Sequence, residues 1–498
     1  MQRLWRILAL FALLSAYSLC AQAQEHTRVT RALLVACSDF QTQEDLGAAI
    51  SGNLHMIGST LVSADIGLGN LSIEDGTIGT VQALSAAIAD SFEQADEDDL
   101  SILYLCTHGV LSSADDEQVY LLLGDGQAES TLSADQLYAL IKDIQGEKLL
   151  ILDACYSGSW IGRGTPAANQ ESGSHPPQPV SPFLPDSSIH VLTSSSGSES
   201  SWYYDSKGLA SGAVSYFASA LSSGLGLYGH AEADLNGDGI VSLDELHRHL
   251  SVAVPSSSSQ LLSSRAETLL LPTAQNAMLS RPLTGFSYSA SLLCGDEPTL
   301  DFSFTVTRAD TSIQYRLVDF IDGSWDWTNA RTFLDEGDDG STLLNVGRKN
   351  RTLALEDVMP DEGGYLMLQV FSVSAEGELV LCSERLIAMQ PNLPTPVMTI
   401  TTETMLLHPG TQELPIDVDL GIPAELTVSV YDSEGMLVRR VASSQMTRPA
   451  PCETAHFYWD GRDMHGNPVP AGTYTITAET RIGRSRCKAV ADIAVGTP

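Results

Sequence analysis

Positive charge is scarce in this sequence. Its 498 residues carry 26 Lys and Arg against 62 Asp and Glu, a formal net charge of −36 at pH 7. No basic patch exists that could neutralise a phosphate backbone, so nucleic acid is excluded as a partner. Long apolar runs are also missing. Beyond Ala23 no stretch is long and apolar enough to cross a bilayer, and no transmembrane segment is expected. Cysteine is sparse, with 8 in the whole chain, so each one can be assigned separately.

The first residues have a different character. Arg3 and Arg6 give a positive start, Ile7 to Leu19 a short apolar run, and Ala21-Gln22-Ala23 a small-x-small cleavage site. Met1 to Ala23 therefore reads as a secretory signal peptide. Cys20 is not expected to be lipidated, because Leu19 stands where such a site needs a small residue. Removing Arg3 and Arg6 takes the charge from −36 to −38. The expected location is secreted, or periplasmic or cell-surface, after signal-peptide removal. The acidity suits an exported, calcium-binding protein and could attract basic substrates. The 475 residues left after 23 are removed suggest about three domains.

Two strands set the chemistry. Leu149-Leu150-Ile151-Leu152 runs into Asp153-Ala154-Cys155-Tyr156-Ser157-Gly158, and Leu100 to Cys106 runs into Thr107-His108-Gly109. Strands apolar on both faces belong inside a parallel sheet covered by helices. Reactive groups of such sheets sit beyond the strands' carboxyl ends. Cys155 is therefore placed as a nucleophile and His108 as its general acid/base, since a neutral thiol needs a base to become a thiolate. Around them the period alternates. Arg31 to Ser38 and Leu71 to Glu74 read as strands, Ser51 to Val62 and Thr80 to Phe92 as helices. Ser133 caps a helix from Ala134 to Ile144, and a small hairpin is expected at Val119 to Asp125. Ile189 to Thr193 continues the sheet, and Gly212 to Leu221 reads as a helix. Ile161 to Asp186, rich in Pro, Gly and Ser, reads as a long exposed loop, and Ser-rich Val254 to Ser264 as a loop.

This arrangement resembles the caspase-like cysteine peptidases over roughly residues 29–280, and the metacaspases and their bacterial relatives more than the animal enzymes. The resemblance implies a mostly parallel α/β sheet flanked by helices, and peptide or protein substrates. It implies an oxyanion hole from the backbone amides of Gly109 and Cys155, and an S1 pocket in which Asp153 pairs with substrate Arg or Lys. It places the wall of the cleft in Ser194 to Asp205, where Glu199 or Asp205 adds charge. No arginines stand near these motifs to read an acidic substrate. The bland alternative for Asp153 is a hydrogen-bonded turn carboxylate. In this family activating cleavage often falls after the cysteine strand, which makes Arg163 a candidate self-cleavage site; a connector that is never cut is the alternative.

Asp234-Leu-Asn236-Gly-Asp238-Gly239-Ile240-Val-Ser242-Leu-Asp-Glu245 matches the calcium loop of an EF-hand. Asp234, Asn236, Asp238 and Glu245 offer side-chain oxygens, Ile240 a carbonyl, and Ser242 a water-mediated contact. A structural Ca2+ that ties down the helix Leu243 to Val252 is expected, with a degenerate acidic turn as the alternative. From Phe286 the pattern alternates with period two, as in Tyr365-Leu-Met-Leu-Gln-Val-Phe, and Gln390 to Pro396 is a stiff linker. Tyr431 to Arg439, Trp459-Asp460-Gly461 and Val469 to Tyr474 resemble the immunoglobulin-like module of flagellar hook-capping proteins. The expected layout is a signal peptide at 1–23, a caspase-like domain at 24–284, and two all-β sandwiches at 285–392 and 393–498. Cys294 with Cys382 and Cys452 with Cys487 read as local disulfides in an oxidising compartment.

The sequence thus reads as an exported caspase-like cysteine endopeptidase that cleaves after Arg or Lys, with its sandwiches for cell-surface or matrix attachment. The alternatives are a transpeptidase or a non-catalytic scaffold on the same fold.

Overall fold

Strands buried on both faces need cover on both sides, and the computed structural model of the chain provides it. It describes residues 28–47, 50–64, 67–112, 118–163, 181–205, 213–274, 281–289, 292–294, 299–321, 324–336, 340–355, 364–374, 377, 379–390, 398–402, 406–420, 425–446, 454–482 and 485–497. The expected signal peptide and residues 391–396 of the expected linker lie outside the described residues.

The first part runs β1 (Thr30–Ala36), α1 (Ser51–Ser63), β2 (Leu68–Asp75), α2 (Val81–Phe92), β3 (Leu100–Cys106), β4 (Gly109–Leu111), β5 (Val119–Gly124), β6 (Glu129–Leu132), α3 (Ala134–Ile141) and β7 (Glu147–Asp153). A 3-10 turn, Ser157–Ile161, follows. Then come β8 (Ile189–Thr193), β9 (Tyr203–Asp205), β10 (Ala213–Ser215), α4 (Tyr216–Gly224), β11 (Val241–Ser242), α5 (Leu243–Ala253), β12 (Gln260–Leu262) and β13 (Leu270–Leu271). Six strands form one sheet in the order β12-β8-β7-β3-β1-β2. All pairs are parallel except β12 with β8.

Alternation along each strand feeds two cores. Leu34, Tyr104, Leu149 and Ile151 face the helices α1, α4 and α5. Leu33, Leu103, Leu105, Leu150 and Leu152 face α2 and α3. The helices start where their caps dictate: Thr80 Oγ1 accepts from Ala83 N–H, and Ser133 with Gln136 closes a capping box.

Three expectations need correction. Where a helix was expected from Gly212, Ala213–Ser215 pairs as a strand with Tyr203–Asp205 and the helix starts at Tyr216, capped by Ser215. The segment expected as a long exposed loop is buried at both described ends, through Ile161 and Arg163 on one side and Phe183 and Leu184 on the other. The serine run 256–259 is also buried. In this stretch, expected as a loop, Gln260–Leu262 pairs as a strand with Ile189–Thr193, and the serines before it reach Ser194 O, Glu199 and Glu384, while the hydroxyls of Ser256 and Ser259 are buried without a partner among the described residues.

The rest of the chain is β. Leu283–Tyr288, Thr299–Val306 and Gly347–Ala354 form one sheet. A second sheet holds Leu292–Cys294, Leu379–Gln390, Gly364–Val373, Ser312–Ile321 and Ser324–Trp325, with Arg331–Leu334 also paired to Ser312–Ile321. Between them lies one core that includes Phe302, Phe304, Leu368 and Ile387. The last part pairs Thr399–Thr401, Leu414–Asp419 and Thr454–Trp459 against a five-stranded sheet around Trp459, Val428 and Ile476.

The disulfide expectation is also corrected. Cys382 and Cys487 carry free thiols. Cys294 pairs with Gln390 in the parallel register of its strand. Cys382 lies eight residues back along that partner strand, roughly 26 Å away at ~3.3 Å per residue, far beyond the reach of a disulfide. Cys452 lies outside the described residues.

Candidate active site

The ends of β3 and β7 are adjacent because Cys106 pairs with Asp153 in a parallel register. Both chains leave the sheet just past this pair, and the residues that follow meet. A Cβ added to Gly109 would sit 1.8 Å from the carbonyl oxygen of Cys155 and 2.8 Å from its carbonyl carbon. Only glycine allows the histidine turn to lie this close to the cysteine turn. Gly158 is equally constrained, with Ser195 O and Gly197 N each 2.8 Å from where its Cβ would stand.

His108 is half-buried. Its Nε2 lies 2.8 Å from the carbonyl oxygen of Glu44, and its ring packs on Phe40 with centroids 4.8 Å apart. A carbonyl can only accept, so Nε2 carries the proton and Nδ1 is left as the basic nitrogen. Cys155 is partly exposed, and its Sγ donates to Ser201 O at 3.9 Å. Burial pushes the thiol above its ordinary value. Tyr156, next in the chain, takes φ 60°, left-handed backbone that a non-glycine residue rarely adopts. Its N–H bonds Glu199 O at 2.8 Å. Among the described contacts the N–H of Cys155 has no acceptor.

Asp153 is 3 % exposed. Its carboxylate accepts from Ser215 Oγ at 2.6 Å, Tyr104 Oη at 2.8 Å, Ser201 Oγ at 3.0 Å and Asn53 Nδ2 at 3.4 Å. Burial nevertheless holds its pKa above the ordinary carboxylate range. Direct pairing with a substrate cation requires one of these donors, Ser201 or Ser215, to give way. Glu199 is tied to the amides of Ser258 at 2.8 Å and Ser196 at 3.3 Å and to Ser258 Oγ, so its carboxylate braces two loops together. Asp205 closes the strand Tyr203–Asp205, and its side chain lies outside the described residues.

The candidate cut site is corrected. Arg163 is 6 % exposed. Its guanidinium pairs with Glu413, 2.9 Å from Nη2 to Oε1, and lies 3.7 Å over the ring of Tyr458. A peptidase needs an extended, accessible segment, and this side chain is locked into the fold.

The acidic loop keeps its shape by its own turns. Asp234 accepts from the amides of Gly237, Asp238 and Gly239, Asn236 from that of Asp238, and Asp238 from that of Ile240. Gly239 takes φ 85°, as the sharp bend demands. Glu245 Oε2 closes a capping box with Ser242, while Oε1 is buried with no partner. Among the described residues no three His, Cys, Asp or Glu side chains gather as a metal cluster. The orphaned Oε1 fits a cation ligand, and Glu245 would have to close toward Asp234 and Asp238 to serve as one.

Sequence reasoning missed Glu44, Phe40, Tyr104, Asn53 and Ser215. Glu44 acts through its main chain, which leaves no sequence signal, and the others arrive from distant elements. Ser201 lies in the segment marked as the cleft wall and could have been singled out there.

Comparison with known proteins agrees with this layout. The CHAT domain family, a caspase-related fold, matches residues 6–170, beginning within the expected signal peptide. The FlgD Ig-like domain matches residues 403–483. The chain thus carries a CHAT domain and a FlgD Ig-like domain. No curated protein matches the chain. Among solved structures it is similar to dimeric latent PorU from Porphyromonas gingivalis, at 10% identity over 48% of this chain and 24% of that chain, with a TM-score of 0.20. It is similar to GSU0716 from Geobacter sulfurreducens, at 14% identity over 51% and 98%, with a TM-score of 0.32. It is similar to FlgD from P. aeruginosa, at 25% identity over 19% and 72%, with a TM-score of 0.16. The chain spans about a quarter of the length of PorU, and these superpositions are too loose to assign a role to any residue.

Proposed function

We propose that the chain is a caspase-like cysteine endopeptidase, with Cys155 as nucleophile and His108 as general acid/base. The observation that carries this reading is the close seat of Gly109 on the carbonyl of Cys155, which holds the histidine turn and the nucleophile turn together. His108 Nδ1 takes the thiol proton while Nε2 stays on Glu44 O. The thiolate attacks the scissile carbonyl, and the amides of Gly109 and Cys155 hold the oxyanion. His108 then protonates the leaving amine, and water resolves the thioester. Substrate must first displace the thiol from Ser201 O, because that bond and the raised thiol pKa describe a resting site. The same two facts are what favour the non-catalytic scaffold as a second reading.

In this proposal the substrate is a peptide cleaved after Arg or Lys. Asp153 and the net charge of −36 favour a cation. Asp234, Asn236, Asp238, Ile240, Ser242 and Glu245 would hold Ca2+, which would supply cross-linking of the loop to α5 and no chemistry. The leader would export the chain, and the two β regions would attach or present the enzyme at a surface.

The test is hydrolysis of a fluorogenic peptide panel that varies only at P1, by wild type and Cys155→Ala, with and without calcium. Cleavage after Arg or Lys that vanishes in Cys155→Ala is expected. Cleavage after Asp or Asn would remove the role of Asp153, and silence across the panel would leave the scaffold.

A further inference from the structure

Arg163 sits at the end of the turn that begins with the nucleophile. Its N–H donates to Gly158 O at 2.8 Å, and its own carbonyl accepts from Gly197 N–H at 2.6 Å. Gly158 N–H in turn donates to Ser195 O at 3.0 Å, and Tyr156 N–H to Glu199 O at 2.8 Å. The main chain of Arg163 therefore stitches together the two turns that flank Cys155. One carries the thiol, and the other carries Ser201, whose carbonyl the thiol touches.

The side chain of the same residue leaves this turn and enters the FlgD-like module. Glu413 takes both guanidinium ends, Tyr458 covers its face at 3.7 Å, and Leu261 O accepts from Nη2 at 3.4 Å. Nearby, Arg439 of the module donates to Ser264 O at 2.6 Å and Ser263 O at 2.9 Å. The joint is not close-packed. A cavity of about 70 Å3 lies in it, lined in part by Arg163, Arg248, Ser263, Glu413, Arg439 and Tyr458.

We propose that the C-terminal module positions the nucleophile turn through Arg163, which makes Arg163 and Glu413 positioning residues for Cys155. This rests on reading Cys155 as the nucleophile. A docked module holds Arg163 taut against Gly158 and Gly197 and keeps the thiol on Ser201. A module that lets go frees the residue nearest the segment 164–180, and the turn relaxes. The module is then a sensor: a ligand that drew it from the α/β domain would change the enzyme without touching its site.

The experiment uses the full chain with Glu413→Ala, Glu413→Gln and Tyr458→Leu. Three quantities are read: the rate of iodoacetamide alkylation at Cys155, resolved by peptide mass with Cys487 as control; amide exchange at Gly158 to Arg163; and turnover of the best panel peptide. In Glu413→Ala, alkylation of Cys155 is expected to rise about five-fold and kcat to fall about five-fold at unchanged KM, as for residues that act on a site through their neighbours. Exchange at 158–163 should quicken, Cys487 should not change, and the isosteric Glu413→Gln should fall between the extremes. Loosened exchange within the module with no change at Cys155 or at 158–163 overturns the proposal, as does no change in any readout. If Glu413→Ala does not fold, Tyr458→Leu and Glu413→Gln decide on the same criteria. A wild type that cleaves nothing defeats the peptidase reading alone, because alkylation and exchange still measure the coupling.

Discussion

The α/β domain meets its two β neighbours through joints of opposite chemistry. The joint with the middle region is built on aromatic rings. Tyr216 stacks on Trp327 with centroids 5.8 Å apart, Tyr204 packs edge-on to Phe371 at 5.6 Å, and Phe371 and Leu381 belong to the same core as α1 and α4. Tyr216 Oη donates to Gln369 at 3.2 Å and Glu384 accepts from Ser256 N–H at 3.0 Å, while Trp327 Nε1 is buried without a partner among the described residues. The joint with the last module consists of a buried ion pair, a guanidinium on two carbonyls, and a cavity. The first resembles a domain interior and the second a reversible contact. The nucleophile turn is attached to the second, through Arg163, while Trp202 beside the site leans on Trp327 of the first at 5.0 Å.

The comparison can be broken at its strongest point first. Tyr216→Ala removes a fully buried ring from the aromatic joint and should cost about 4 kcal/mol, read as a lower denaturant midpoint. Glu413→Ala leaves the guanidinium of Arg163 buried and unpaired, and should cost about 3 kcal/mol. A matching change at the two joints would erase the distinction drawn here. Next, calcium at a hundredfold excess over its Kd should stabilise the chain by about 2–3 kcal/mol, and Glu245→Gln should abolish that gain. The ion would act on α5, whose Asp244, His247 and Arg248 line the polar joint, so the gain should persist in Tyr216→Ala. The smallest effect is the titration of Cys155. Burial raises its pKa in the folded chain, so alkylation should reach half its maximum above the ordinary thiol value. The unfolded thiol ionises first, so this group's contribution to stability falls as pH rises from that value toward the folded one. A midpoint at the ordinary value would remove the effect of burial, and one below neutral pH would show a thiolate already formed at rest.

Part of this was legible in the sequence. The doubly apolar strands at 100–106 and 147–153 announced a parallel sheet, and strand ends are where such sheets place chemistry, which singled out His108 and Cys155 as candidates. Gly109 was singled out for its backbone amide, whereas the 1.8 Å approach to Cys155 O that requires a glycine there belongs to the fold. The helix cap at Ser133 was local and therefore readable, whereas the caps at Thr80 and Ser242 emerged with the structure. Arg163 misled because a charged residue in a Pro-, Gly- and Ser-rich stretch read as solvent-facing, yet it found a partner far along the chain. The disulfide expectation failed because nearness in sequence order does not set strand register, and register put Cys294 beside Gln390.

The sequence by itself determined what was periodic and local: which segments are strand or helix, which ends carry the histidine and the cysteine, and which loop offers oxygens in calcium order. Only the tertiary structure decided which charges are buried and what answers them. Asp153 became a fourfold-bonded interior carboxylate, Glu199 a brace and Arg163 a tie between domains. Burying a charge is costly unless a partner is supplied, and that partner comes from wherever the chain folds back, which no local pattern records.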